Sequence, residues 1–218
     1  MRLLFVRHGE PDYEHDCLTP EGHRQARAAA GRLREENISQ LFSSPFGRAK
    51  ETAAYTSEAL GLPVTILDFM HELYWGSRDG ARIFAGGHPW NIADAMAREG
   101  WDLARDDWRE HPYFSNNTVT AGADFVGAEI DAWLGGFGIR REGRYYRSEL
   151  RNDETVAVFC HGGSSAAALG HILDITFPHA CALFHLDFTG ITAVRFPKPG
   201  AGIALPTLAL CNDARHIF

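Results

Sequence analysis

The chain has 218 residues, 45% hydrophobic and 22% charged, with a formal net charge of −7. That profile fits one large globular domain, or a domain with a substantial insertion. The acidic balance argues against nucleic acid or an anionic membrane as the main partner, because both select basic surfaces. No window approaches the roughly 18 consecutive apolar residues of a membrane span. The opening Met1–Val6 is too short an apolar run for a signal peptide, since Arg7 and His8 follow at once.

Leu3–Val6 reads as a first strand, and it stops abruptly in Arg7-His8-Gly9-Glu10. A strand ending in a guanidinium and an imidazole puts both at the carboxyl edge of a sheet, where open α/β folds bind ligands. Thr19 can cap the helix that follows. Pro20 suits its first position and Glu21 complements its dipole. Ala26, Ala29, Ala30 and Leu33 then recur at helical spacing. Ile38–Ser43 is the second strand, and Ser44-Pro45 opens a second helix that runs to Leu60. Gly61 and Pro63 stop it, and Val64–Leu67 is the third strand. Alternating strands and helices imply a parallel sheet covered by helices.

From about 76 to 152 the pattern breaks, with helices expected near Trp90–Arg98 and Ala121–Leu134. So long an excursion reads as a lid insertion over one end of the sheet. At its end Arg140, Arg141, Arg144, Arg147 and Arg151 crowd together. The Glu142-Gly143 turn and the paired tyrosines Tyr145 and Tyr146 favour a β-hairpin there, with the arginines at its solvated surface. Thr155–Cys160 is apolar in the manner of a buried central strand. It ends in His161-Gly162-Gly163-Ser164, ahead of a helix over Ala166–Leu173. Leu183–Asp187 and Ile191–Phe196 read as a hairpin, and Leu208–Cys211 as the last strand. The expected fold is an α/β three-layer sandwich, its central sheet mostly parallel with helices on both faces. It forms one domain over 1–218 with a lid at about 76–152.

Cys17, Cys160, Cys181 and Cys211 include no C-x-x-C pair. They read as reduced core thiols of a cytoplasmic protein, not as a disulfide frame or a zinc site. His15, His23, His71, His88, His171 and His179 read as surface or packing residues, and His185 as a core or edge-strand residue. Tyr74, Trp75, Trp90, Trp101 and Trp108 either pack a lid core, the favoured use, or line a pocket for a flat leaving group.

Three strand ends carry the same chemistry. They lead into Arg7-His8-Gly9, into Ser43-Ser44-Pro45 with Arg48 just beyond, and into His161-Gly162-Gly163. If the strands are adjacent and parallel, two arginines, two histidines and a helix N-terminus converge on one crevice, which makes an anion site holding a nucleophile. Glu72 follows the third strand at the same edge. A carboxyl group beside a phosphate has its pKa raised and can serve as an acid.

Arg7-His8-Gly9-Glu10, Leu18-Thr19-Pro20-Glu21-Gly22, the run Ser43–Ala53, Glu72 and His161-Gly162-Gly163 occur in order and at familiar spacing. Together they resemble the histidine phosphatase superfamily, also called the phosphoglycerate mutase-like family, in its phosphatase branch. The resemblance covers 1–80 and 155–175 well and leaves the lid unmatched. It implies that His8 is the nucleophile, that Arg7, Arg48 and His161 hold the phosphoryl oxygens, and that Glu72 is the acid and then the base. Gly162, Glu10 and Arg78 are the further candidates for contact with phosphate or substrate, Glu10 also being readable as a surface acid and Arg78, like Arg82, as a solvated arginine.

The expected activity is that of a phosphomonoesterase that needs no metal or cofactor. It hydrolyses a small phosphorylated metabolite through a phosphohistidine. A homodimer is one assembly compatible with this reading. The alternatives are a cofactor-dependent phosphoglycerate mutase and a catalytically silent module that binds a phospholigand. Two departures bear on the substrate. Pro11 and Glu14 stand where many relatives have threonine and asparagine, and Ser77-Arg78-Asp79-Gly80 stands in place of the usual Trp-Glu-Gly.

Overall fold

The computed structural model describes residues 1–149, 153–200 and 202–218; Arg151 of the arginine-rich stretch lies outside them. In chain order the elements begin with β1 (Arg2–Arg7), β2 (Pro11–Asp12), β3 (Cys17–Leu18) and α1 (Pro20–Leu33). Next come β4 (Ile38–Ser43), α2 (Gly47–Leu60), β5 (Val64–Ile66), α3 (Pro89–Arg98) and α4 (Val119–Gly135). The hairpin β6 (Ile139–Glu142) and β7 (Tyr145–Ser148) precedes β8 (Thr155–Cys160), α5 (Gly162–Leu173) and α6 (Phe177–Leu183). The chain closes with β9 (Ile191–Arg195), β10 (Ile203–Ala204) and β11 (Thr207–Asp213).

Among the described residues the main sheet has six strands in the order β11-β9-β1-β8-β4-β5. The four strands from β1 to β5 in that order are mutually parallel, while β9 and β11 join antiparallel at one edge. Period-two alternation sends Leu3 and Phe5 to one face and Leu4 and Val6 to the other. The first face meets α3 to α6, and the second meets α1 and α2 through Leu33 and Ala53. The result is the three-layer sandwich. β8 sits at its centre, and Val156 through Cys160 are wholly buried.

Local chemistry sets the element ends. Thr19 accepts from the Gly22 N–H at 3.0 Å, with Pro20 next to it, so α1 starts where a cap and a proline dictate. α2 begins at Gly47, two residues later than Ser44-Pro45 suggests, because Phe46 is still extended, with φ at −72° and ψ at 143°. Gly61 ends it with φ at 67°.

The segment 76–152 supplies α3, α4 and the β6–β7 hairpin. Its Ile92, Met96, Trp108, Phe114 and Ile130 join the larger of the two core clusters. The hairpin is fastened by an ionic network in which Asp131 accepts from Tyr146 at 2.5 Å, His171 at 2.7 Å and Arg141 at 2.8 Å. Arg140, Arg144 and Arg147 pair with Glu149, Asp174 and Glu142, so these cations are neutralised locally.

Two expectations fail. Leu183–Asp187 is no strand, because Phe177–Leu183 forms α6 with a proline in its first turn. β9 therefore has no hairpin partner in that segment and pairs with β1 and β11. His185 accordingly lies exposed in a loop. Cys160 and Cys181 are core thiols as expected, but Cys17 is half-buried and Cys211 is exposed.

One close approach ties α1 to the end of β1. A Cβ at Gly22 would sit 2.1 Å from the Glu10 carbonyl oxygen, and one at Gly9 would sit 2.6 Å from that of Gly22. Neither backbone can yield without moving the other. Gly22→Ala should therefore cost about 1–3 kcal/mol of unfolding free energy in urea titrations, the usual range for overpacking. A change within about 0.5 kcal/mol, as at an ordinary surface site, would show that the contact is slack.

Candidate active site

The parallel register pairs Arg7 with Cys160, so His8 and His161 leave neighbouring strands side by side. Their ring centroids lie 5.1 Å apart, and both are buried. β4 brings in the third strand end, where Ser44 donates its N–H to the Phe159 carbonyl at 2.8 Å.

The two imidazoles are held in opposite ways. His8 Nδ1 lies 2.7 Å from the Gly9 carbonyl oxygen, which can only accept. Nδ1 therefore carries the proton, and Nε2 keeps its lone pair. His161 Nε2 lies 2.7 Å from Ser44 Oγ, which itself accepts from the Phe46 N–H at 3.2 Å. The Ser44 hydroxyl, which has one proton and two lone pairs, can pair with either tautomer of His161. Thr52 steadies the loop under His8, accepting from the Gly9 N–H at 3.0 Å and donating to the Arg48 carbonyl at 2.7 Å.

Two guanidiniums flank the pair. Arg7 donates to the Leu186 carbonyl at 2.5 Å and lies 4.3 Å from the Phe188 ring centroid. Arg48, in the first turn of α2, donates to Asp16 at 2.5 Å and stacks 4.9 Å from Phe46. Arg7 Nε, Arg48 Nε and His161 Nδ1 are buried with no hydrogen-bond partner among the described residues. Unmatched buried donors are costly, and an anion with several acceptor oxygens answers the two guanidiniums.

Glu72 reaches the N-terminus of α5. Its Oε1 accepts from the Leu73 N–H at 2.9 Å and the Ser164 N–H at 3.1 Å. Burial raises its pKa above the ordinary carboxylate value, against the lowering pull of those amides and of Arg48. A Cβ at Gly163 would sit 2.5 Å from Oε1, so this glycine makes room for the carboxylate.

Arg7, His8, Arg48, Glu72, His161 and Gly162 thus gather at one sheet edge. Glu10 and Arg78 stand apart from them. Glu10 accepts from the Thr19 hydroxyl at 2.8 Å and donates its N–H to Gln25 at 2.8 Å, which fastens the cap of α1. Arg78 is exposed on a bridging segment, its N–H donated to the Asn116 carbonyl at 3.0 Å. Sequence reasoning passed over Asp16, Ser44 and Thr52 as members of the site. Ser44 carried a signal in its place at the end of the second strand, and Thr52 in its place one helical turn after Arg48. Among the described residues no cluster of His, Cys, Asp and Glu is arranged to hold a metal ion, and no single helix is long and apolar enough to cross a membrane.

A cavity of about 530 Å³ opens beside the cluster, with Arg7, Glu72 and Gly162 at its inner end. Trp75, His88 and Trp90 form one wall. The favoured use of the aromatic residues as lid packing holds for Trp108, which is buried, and for Trp90 and Trp101, which pack against the core cluster; Trp90 also lines the cavity, and so does the more exposed Trp75.

Burial keeps both central imidazoles neutral, and the field of Arg7 and Arg48 acts in the same direction. His8 is lowered to about 3, and His161 is lowered as well. In the unfolded chain both titrate near their ordinary value of about 6.5. Between those limits the unfolded chain holds more protons, so stability falls as the pH drops. Urea titrations from pH 6.5 to 4 should show this loss. The loss should be shallower in His8→Asn, by up to about 1.4 kcal/mol per pH unit. Parallel slopes would contradict a buried neutral His8.

Comparison with known proteins fits this arrangement. The family model of the histidine phosphatase superfamily (branch 1) matches residues 3–112. An uncharacterized phosphatase of Bacillus subtilis is 33% identical over 87 residues, covering 36% of this chain and 45% of that one. A 2,3-bisphosphoglycerate-dependent phosphoglycerate mutase of Thermoplasma acidophilum is 27% identical over 116 residues, covering 45% and 58% respectively. The chain spans about half the length of the curated relatives it matches. A mycobacterial glucosyl-3-phosphoglycerate phosphatase, solved with inorganic phosphate, superposes with a TM-score of 0.62 at 26% identity. That superposition covers 99% of this chain and 98% of the other. The family model, the strand-end motifs and the shared fold agree, and the chain belongs to the histidine phosphatase superfamily, branch 1.

Proposed function

We propose that the protein is a phosphoric monoester hydrolase that works through a phosphohistidine on His8. The observation that carries this reading is the state of His8. It is neutral, buried between two guanidiniums, and has its Nδ1 proton tied to Gly9, so Nε2 is the free nucleophile.

In the first step Nε2 forms a bond to phosphorus while the bond from phosphorus to the alcohol oxygen breaks. Glu72, protonated in its desolvated position, gives its proton to the departing oxygen. Arg7, Arg48, His161 and the amides at the start of α5 stabilise the charge on the transferring group. In the second step Glu72, now a carboxylate, takes a proton from water. The resulting hydroxide oxygen bonds to phosphorus, the P–N bond breaks, and inorganic phosphate leaves with His8 neutral again.

Steady-state hydrolysis of para-nitrophenyl phosphate tests the nucleophile. His8→Ala should lose activity by on the order of 10³-fold or more. Retention of near-wild-type turnover would overturn the reading. Release of phosphate from no ester at all, with phosphoglycerate isomerised instead in the presence of a bisphosphate primer, would assign the chain to the mutases.

The acid role has its own signature. Measured in kcat/KM, which stops at release of the alcohol and leaves out the shared hydrolysis of the phosphoenzyme, Glu72→Gln should cost about 10²–10⁴-fold on alkyl phosphates, whose alkoxide leaves badly. It should cost much less on para-nitrophenyl phosphate, whose leaving group needs no proton. The wild-type kcat/KM should fall on the alkaline side as Glu72 ionises, and the variant should lack that limb. Equal losses on both ester types would remove Glu72 as the acid.

A further inference from the structure

The cavity beside the phosphate cluster has two unlike ends. At the inner end Gly162 marks the junction, because a Cβ there would sit 3.5 Å from the Trp90 ring and 4.0 Å from Arg7 Nε. Whatever leaves the phosphorus therefore passes directly onto an aromatic wall. Trp75 and His88 meet edge to face at 5.1 Å, and His88 and Trp90 lie 5.4 Å apart. Trp75 is 38% exposed, and at the mouth Tyr13 is 67% exposed. Large apolar rings left open to solvent around a cavity mark a binding surface.

The charges complete the picture. Among the described residues that line this cavity Arg7 is the only arginine or lysine, and the phosphoryl group claims it. The acidic lining residues are Glu72, which carries its proton when the ester enters, and Asp187, and the lining histidines are His88 and His185. A carboxylate on the leaving alcohol would enter with no arginine or lysine to meet it and with Asp187 at the rim to repel it. A flat, uncharged ring stacks on Trp75 and Trp90 without desolvating a charge.

We propose that the leaving-group side of the site selects phosphate monoesters of uncharged, ring-bearing alcohols and rejects those whose alcohol carries a carboxylate. This rests on the phosphatase reading for its chemistry, and the test separates the two. Binding is measured by calorimetry with phosphonates, which cannot be hydrolysed, on the wild-type protein. Phenylphosphonate should bind at least about tenfold tighter than methylphosphonate, as expected for ring stacking. 3-Phosphonopropionate should bind no tighter than methylphosphonate. Trp75→Ala and Trp90→Leu should each shrink the phenyl-to-methyl ratio severalfold.

Equal binding of phenyl- and methylphosphonate, tightest binding of the carboxylate-bearing compound, or no binding of any of them overturns the proposal. Hydrolysis is then followed on the matching esters. Selective phosphonate binding with no ester hydrolysed would leave the pocket assignment standing and bring down the phosphatase reading instead.

Discussion

The hydrogen bond from His8 Nδ1 to the Gly9 carbonyl decides the chemistry available at this sheet edge. An imidazole can offer a lone pair at only one nitrogen, and a carbonyl that only accepts leaves no choice of tautomer. Holding that ring neutral beside two guanidiniums requires it to be out of water, and the sandwich supplies the burial. His161 is held differently, through Nε2 by the Ser44 hydroxyl, which also takes the Phe46 amide. Two histidines of the same type, 5.1 Å apart, are thereby anchored through different ring nitrogens.

This pairing depends on register. β1 and β8 run parallel with Arg7 opposite Cys160, so a slip of one residue would turn one imidazole to the other face. The Gly9–Gly22 contact and the Thr52 bond fix the loop just beyond. Arg48 is held by Asp16 and Phe46, and Arg7 by the Leu186 carbonyl and Phe188. Each guanidinium is oriented by groups outside the phosphate cradle, so each keeps a face turned to the cluster.

Much of the fold was legible in the sequence where local and global signals agree. The alternation up to Val64 has caps, prolines and apolar periods that all point the same way, and the buried β8 announces itself by composition. The failures have physical causes. Leu183–Asp187 alternates like a strand, yet its first residue completes a helix begun at Phe177 by a proline-bearing turn. β9 pairs with β1 from the opposite end of the chain and with β11 rather than with the segment before it, and no local pattern encodes the first of these. The five residues at the strand ends and Glu72 were legible because their motifs fall where strands stop. Asp16 was not, because it joins the site through a contact across the fold, and the role of Ser44 against His161 is likewise set across the fold although its motif ends a strand. Glu10 and Arg78 mislead for the converse reason, since nearness in sequence to a motif does not bring a side chain into the pocket.

The most direct test of the central claim is to trap the phosphorylated enzyme. Wild-type protein mixed with a phosphate ester and quenched in alkali within the first turnover should carry one added phosphoryl group. Peptide mapping should place it on His8, with the acid lability and alkali stability of a phosphoramidate. Absence of a phosphoenzyme during active turnover, or its appearance on any other residue, would contradict the account.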